Sequence, residues 1–151
     1  MVNGINTFAA TTNYARFSSV VFPTMAVTPQ VVTTATTPVA LTTAQILQGL
    51  LPVDCQDAGS ITTPTAAAIV AAIEGCQVGT AFDLDVVNYG DTTLTMALGT
   101  GVTKTTIATV AAVLTMVTLV SKRFRFIVTN VTPGSEAVTI WAFGSTAAAV
   151  A

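Results

Sequence analysis

The sequence contains no histidine and only two cysteines, Cys55 and Cys76. Histidine is the commonest general base, the usual partner of a nucleophilic serine or cysteine, and the commonest metal ligand. The two cysteines are too few for a disulfide framework and lack the CxxC spacing of a zinc site. We therefore predict a protein that is not an enzyme and that binds neither a metal nor a cofactor.

Charged side chains are also scarce. The 151 residues include five basic and seven acidic side chains, whereas about a quarter of a typical soluble domain is charged. Either threonine and serine solvate the surface, or other subunits cover much of it, and we favour the second alternative because assembly hides apolar surface. A pI near 4.6 and few aromatic residues argue against a nucleic-acid partner.

Neither a leader nor a membrane segment is expected. The first residues, MVNGINTFAATTNYARF, lack the basic and apolar regions of a secretory signal, so both thiols are expected to stay reduced. Residues 105–121 form an uncharged run, but the run contains five threonines and is shorter than the roughly 20 apolar residues of a spanning helix. We therefore expect no membrane partner.

The residues that are abundant favour β-structure. Hydrophobic residues make up 52% of the chain, mainly alanine and valine, and about a fifth of all residues are threonine. Valine and threonine are β-branched and pack well on pleated surfaces. From Val78 onward, apolar and polar residues alternate in about six short runs separated by turn residues. The pattern predicts an all-β fold, a β-sandwich or barrel of about six to eight strands with one or two short helices.

The chain is predicted to divide into an extended N-terminal arm, residues 1–40, and a β-rich domain, residues 41–151. The arm is poor in charge and interrupted by Pro23, Pro29 and Pro38, and proline is confined to strand edges, strand starts and bulges. Such a segment is a poor independent folding unit. We expect it to pair with the main domain or to reach a neighbouring subunit.

Two short helices are predicted near 43–51 and 64–74. The first has leucine and isoleucine at helical spacing and is expected to stop at Pro52; the second follows a candidate N-cap at Thr63. The residues between them, 54–60, are interpreted as a polar loop.

Three of the five basic residues fall within one short segment, at Lys122, Arg123 and Arg125. The arginines alternate with Phe124 and Phe126, which predicts a strand whose inward face is phenylalanine and Val128 and whose outward face is arginine, with Lys122 at its start. Lys122, Arg123 and Arg125 are the candidate partner contacts, orienting the protein against an acidic patch. The alternative is a solvated strand face with no partner.

Asp83 and Asp85 share one face of a predicted strand. They are interpreted as solvent-facing residues that alternate with core residues. The alternative is a calcium site that recruits Asp91 across the following turn.

Aromatic side chains that could stack on a sugar are few. Tyr14, Tyr89 and Trp141 are the only tyrosines and tryptophan. Trp141 follows Ile140 in a predicted strand and is interpreted as a core residue.

Three stretches taken together resemble a known class of protein. They are LTTAQILQGLL, the run from PTAAAIVAAI to VGTAFDLDVVN, and KRFRFIVTNVTPGSEAVTIW. In this order they resemble structural virion proteins of tailed bacteriophages, most closely the head decoration, or cement, proteins, over roughly residues 41–143.

The resemblance implies a β-rich homotrimer, made in the host bacterial cytoplasm, that binds the major capsid protein on the capsid exterior. A decoration protein of this kind stabilises the head mechanically, without a catalytic motif. The N-terminal arm is expected to contact the shell or an adjacent subunit. The alternative function is a phage fibre or spike module that binds a host receptor or glycan.

Overall fold

The computed structural model describes residues 30–32, 38–107, 110–111, 113–144 and 146–147, and these form a mainly β fold with two mixed sheets. Most of the predicted arm, residues 1–29 and 33–37, lies outside the described residues. The helices are α1 (Thr43–Leu47) and α2 (Ala66–Ala72). The strands are β1 (Gln30–Val32), β2 (Val39–Ala40), β3 (Leu50–Cys55), β4 (Gly59–Thr62), β5 (Ala81–Asn88), β6 (Leu94–Ala97), β7 (Val102–Lys104), β8 (Thr106–Ile107), β9 (Val110–Ala111), β10 (Thr115–Met116), β11 (Val120–Asn130), β12 (Ala137–Ala142) and β13 (Thr146–Ala147).

The larger sheet has seven strands in the order β1-β3-β5-β11-β12-β7, with β13 also pairing β11. The smaller sheet has four strands in the order β10-β6-β4-β2, and β8 and β9 form a separate two-stranded ribbon. Neither sheet closes on itself within the described residues. The strand count exceeds the predicted six to eight because many pairings involve only two or three residues.

The first half of the chain alternates between the two sheets. Strands β1, β3 and β5 join the larger sheet, and the intervening β2, β4 and β6 join the smaller one. Each return to a sheet places a new strand parallel to the previous one, because the crossing through the other sheet brings the chain back in the same direction. All the strand pairs described among β1–β6 are therefore parallel.

The second half is built around β11, whose eleven residues make it the longest strand. It pairs antiparallel with β5 on one side and with β12 on the other. Phe124, Phe126 and Val128 are fully buried, as the alternation predicts. The ring of Phe82 on β5 stacks on Phe126 with the centroids 4.8 Å apart and the planes 7° from parallel. The inward face predicted for this strand is confirmed.

At the end of β5, the buried Asn88 ties the β5–β6 turn to the segment before β11. Its Nδ2 donates to the carbonyl oxygens of Thr92, Met116 and Val117, at 2.8, 3.3 and 3.2 Å. Its Oδ1 accepts a hydrogen bond from the backbone N–H of Gly90. The two N–H donors of one side chain are therefore shared among three carbonyl groups, and its oxygen serves one amide, at the point where β5 ends.

Both predicted helices form, and both are shorter than predicted. The first begins as expected, with a capping box between Thr42 and Gln45. Its predicted extension to residue 51 is wrong: Gly49 adopts a left-handed φ of 86°, and the chain then enters β3, which contains Pro52. In the second helix the N-cap is Thr65 rather than Thr63.

The polar loop predicted at 54–60 forms but is shorter than predicted: it covers only residues 56–58, because 54–55 belong to β3 and 59–60 to β4. Leu51, Val53 and Cys55 alternate on the buried face of β3, so the core continues into the first two residues of the predicted loop. Both cysteines are free, and the Cys55 thiol donates to the Asp57 carbonyl oxygen at 3.0 Å.

The uncharged run 105–121 contributes short strands rather than one helix. It supplies β8, β9, β10 and the first residues of β11. Across the described part of the chain, no helix has both the length and the hydropathy to span a membrane.

Candidate functional site

Four charged side chains form two ion pairs on the outer face of β5 and β11, and we call them the outer-face ladder: Asp83, Asp85, Arg123 and Arg125. The antiparallel register places Arg123 directly opposite Asp85 and Arg125 opposite Asp83. Each pair is bidentate, with both N–O distances at 2.8 Å. The outward orientation predicted for the two arginines is confirmed, since their side chains are 56% and 48% exposed.

Within the outer-face ladder, each positive charge is paired with a negative charge. The hydrogen bond from Arg125 lowers the pKa of Asp83, and the bonds to the carboxylates raise the pKa of both guanidinium groups. Because the two acidic and two basic groups cancel, the face presents no net positive charge. The predicted partner contact through Arg123 and Arg125 therefore has to use directed hydrogen bonds rather than a basic field.

Lys122 does not join the arginines. Its predicted position at the start of the strand is wrong, since β11 begins at Val120. Lys122 lies two residues before Phe124, so its side chain points to the same inner side of the sheet. It is only 6% exposed. Its ammonium donates to the carbonyl oxygens of Val113 and Thr115, at 3.0 and 2.8 Å, and burial lowers its pKa. Lys122 therefore connects β11 to the segment that contains Val113 and Thr115, and its side chain is not exposed to a partner.

A groove runs beside the ladder across the outer face of the larger sheet. It has a volume of about 600 Å³, and we call it the outer-face groove; its lining residues are Leu50, Asp85, Val87, Ser121, Arg123, Arg125, Phe143 and Gly144. One row of the sheet crosses it: Leu50 is in register with Asp85, which faces Arg123. The Phe143 N–H donates to the Arg123 carbonyl oxygen at 3.0 Å and extends the pairing beyond β12.

Aromatic side chains flank the ladder on the β12 side. The guanidinium carbon of Arg125 lies 6.0 Å from the Phe143 ring centroid, within the range of a cation–π contact. Trp141 is directly opposite Arg125 and is 37% exposed, so the interpretation of Trp141 as a core residue is wrong. Side chains alternate along β12: Val138 and Ile140 point inward, so Trp141 points outward.

Several residues of this face were not expected from the sequence. Leu50, Val87 and Phe143 were not singled out as site residues, although Val87 and Phe143 occupy the same alternate positions as the ladder and Trp141. Alternation along the strands indicates which residues point to the same face as Arg123 and Arg125. Which of them lie beside the arginines depends on the strand register, and only the fold shows that register.

A second apolar surface lies at the end of the sheet near Asn88. Tyr89, Val117 and Leu119 are all exposed there. The Thr118 hydroxyl donates to the Gly90 carbonyl oxygen at 3.1 Å and joins the two turns that carry them. Leu119 has a φ of 55°, a left-handed conformation that is uncommon for a bulky residue. We call Tyr89, Val117 and Leu119 the apolar end.

The calcium alternative finds no support in this arrangement. Asp83 and Asp85 do share a face, but arginines bind both carboxylates. Among the residues that the structure describes, no three histidine, cysteine, aspartate or glutamate side chains could hold a metal ion together.

Comparison of the chain with protein-family models, curated proteins and solved structures finds no match. What the protein does is therefore inferred from its residues and their geometry.

Proposed function

We propose that this protein is a non-enzymatic virion structural protein, a decoration or cement protein of a tailed-phage head. In this role it forms a homotrimer on the capsid exterior and contacts the major capsid protein. Many copies bound to the assembled shell, and not to its dissociated subunits, stabilise the shell by mass action. The sequence resemblance motivates this proposal.

The observation that carries the proposal is an apolar surface with little free positive charge. Eight large apolar side chains among the described residues are exposed: Leu50, Val78, Tyr89, Val113, Val117, Leu119, Trp141 and Phe143. Of the four basic residues in the described part, Arg123 and Arg125 bind carboxylates and Lys122 binds carbonyl oxygens. A surface of this kind suits permanent contact with other subunits, because association removes the apolar groups from water.

The finer architecture we propose is a β-sandwich. The buried residues form one core that draws on both sheets. Leu84, Val86 and Phe124 come from the larger sheet, and Ile61 and Met96 from the smaller one. Two sheets that share one core through their inner faces correspond to sandwich packing.

The test is binding of the purified full chain to heads of the phage that encodes it, prepared without the protein. We expect saturable co-sedimentation at a fixed stoichiometry and a trimer in sedimentation velocity. Val117→Ser at the apolar end should weaken head binding or trimerisation at least tenfold, whereas Val78→Ser, another exposed valine, should not. A monomer that does not bind heads would refute the proposal.

A second candidate function is a fibre or spike module that binds a host receptor or glycan. The specific observation in its favour is the outward position of Trp141 and Phe143 beside the ladder. Binding on a glycan array, without binding to purified heads, would favour this function over the first.

A further inference from the structure

We propose that the outer-face groove binds a neutral saccharide. Phe143 and Leu50 would contact the apolar C–H surface of a sugar ring, and the three ladder residues that line the groove, Asp85, Arg123 and Arg125, would bind its hydroxyl groups. The inference deepens the second candidate function and rests on it; it is independent of head decoration.

The size and lining of the groove suit a small polar ligand with apolar faces. Its volume of about 600 Å³ lies inside the roughly 300–1,000 Å³ typical of small-molecule sites. Leu50 and Phe143 are apolar and exposed, and they bound the row that contains Asp85 and Arg123. Apolar walls with a few convergent polar groups are the usual composition of such a site.

The donors and acceptors of the ladder match hydroxyl groups better than ions. A guanidinium group has five N–H donors, and in each pair the carboxylate accepts two of them. Each carboxylate oxygen also has a further lone pair. Donors and acceptors therefore stand side by side, which suits a hydroxyl because it both donates and accepts. In the groove an anion would meet the carboxylate of Asp85, and a cation would meet the two arginines.

The ladder is also preorganised. The pairs sit on two neighbouring strands in the interior of the larger sheet, and each arginine is held by two hydrogen bonds. Side chains that are already fixed lose little conformational entropy when a ligand binds.

The position in the sheet argues against an extended peptide as the occupant. A peptide that binds by strand addition needs an unpaired sheet edge. At the ladder, β11 is paired on both sides, and β5 is paired on both sides from Asp85 onward, so their main-chain groups already serve the sheet. A ligand that binds at Asp85 and Arg123 is therefore recognised by side chains, as a saccharide can be.

The experiment uses the full chain on an array of neutral, sialylated and sulfated glycans, followed by titration calorimetry with the strongest neutral oligosaccharide. We expect binding to neutral glycans that changes less than twofold between low and high NaCl, since no net charge is paired. Phe143→Ala should reduce affinity at least tenfold. Tyr89→Ala removes an aromatic residue of similar exposure outside the groove (42% against 44%) and should leave affinity unchanged.

The possible failures are distinguishable. Binding restricted to charged glycans, with strong salt dependence, would overturn the inference. Neutral-glycan binding that Tyr89→Ala abolishes and Phe143→Ala spares would keep the second candidate function but overturn the site. If no glycan binds and Phe143→Ala instead weakens head binding, the groove is a protein contact and only the decoration function stands.

Discussion

The two faces of the β5–β11 pair differ in how their side chains are satisfied. On the inner face Leu84, Phe124 and Phe126 are fully buried, and the polar groups there, Lys122 and Asn88, bind backbone carbonyl oxygens. On the outer face the polar groups bind one another and remain half exposed. Burial of apolar area stabilises strongly, whereas exposed ion pairs contribute little. Stability is therefore expected to depend on the inner face and recognition on the outer face.

The largest expected effect comes from emptying the inner face. Phe126→Ala removes a fully buried ring stacked on Phe82 and should lower the free energy of unfolding by about 3–5 kcal/mol, through lost burial and a residual cavity. Urea denaturation measures the loss. Ile127→Ala, the next residue with outward parity, is the control and should lose much less. Equal losses at the two positions would contradict the difference between the faces.

The buried amide of Asn88 gives the second effect. Asn88→Ala leaves three carbonyl oxygens without their donor and should lower the free energy of unfolding by about 1–3 kcal/mol. Asn130→Ala is a matched control, because Asn130 makes the same local bond to an amide two residues ahead but none to distant carbonyls. A similar small loss in both variants would show that the carbonyl bonds of Asn88 contribute nothing.

Lys122 gives a smaller effect that depends on pH. Burial lowers its pKa in the folded state below the ordinary 10.5. Between the lowered value and 10.5 the unfolded chain binds more protons, so the free energy of unfolding should rise as pH increases through this window. Denaturation at increasing pH should show the rise in the wild type and in the exposed-lysine control Lys104→Met. The rise should be absent in Lys122→Met, and a rise that persists there must come from another group.

The sequence predicts well what depends on local alternation. The period of two in residues 122–128 placed Phe124 and Phe126 inside and Arg123 and Arg125 outside, and the structure agrees. The same parity also places Lys122 inside. Its charge argued otherwise, because lysine is almost never buried without partners. Its partners, the carbonyl oxygens of Val113 and Thr115, lie just before and within β10, and no local pattern predicts that this segment passes beside Lys122.

What the sequence could not predict depends on contacts between distant residues. Leu50 and Leu51 continue the helical spacing of the preceding segment, so only the tertiary fold assigns them to β3. The parallel pairing of β3 with β5 arises because the chain crosses to the other sheet between them. Likewise, the sequence shows two aspartates and two arginines about 40 positions apart, but their pairing requires the β5–β11 register.

The smallest expected effect is on the outer face, at Arg125. The hydrogen bond from Arg125 is the main reason that the pKa of Asp83 lies below 3.8, and Arg123 contributes least. Arg125→Met should therefore raise the pKa of Asp83 toward 3.8, as measured by NMR titration of its carboxyl carbon, whereas Arg123→Met should change it only slightly.

The sign of the accompanying stability change follows from linkage. A carboxyl group with a lowered folded-state pKa stabilises the fold above its unfolded pKa, and this contribution disappears as pH falls through the folded value. The difference in melting temperature between wild type and Arg125→Met should thus be present at neutral pH, decrease as pH falls below 3.8 and vanish below the lowered pKa of Asp83. It should also be the smallest of the differences considered, since both partners face solvent. A loss at Arg125 as large as that at Phe126 would mean that the outer face holds the fold together.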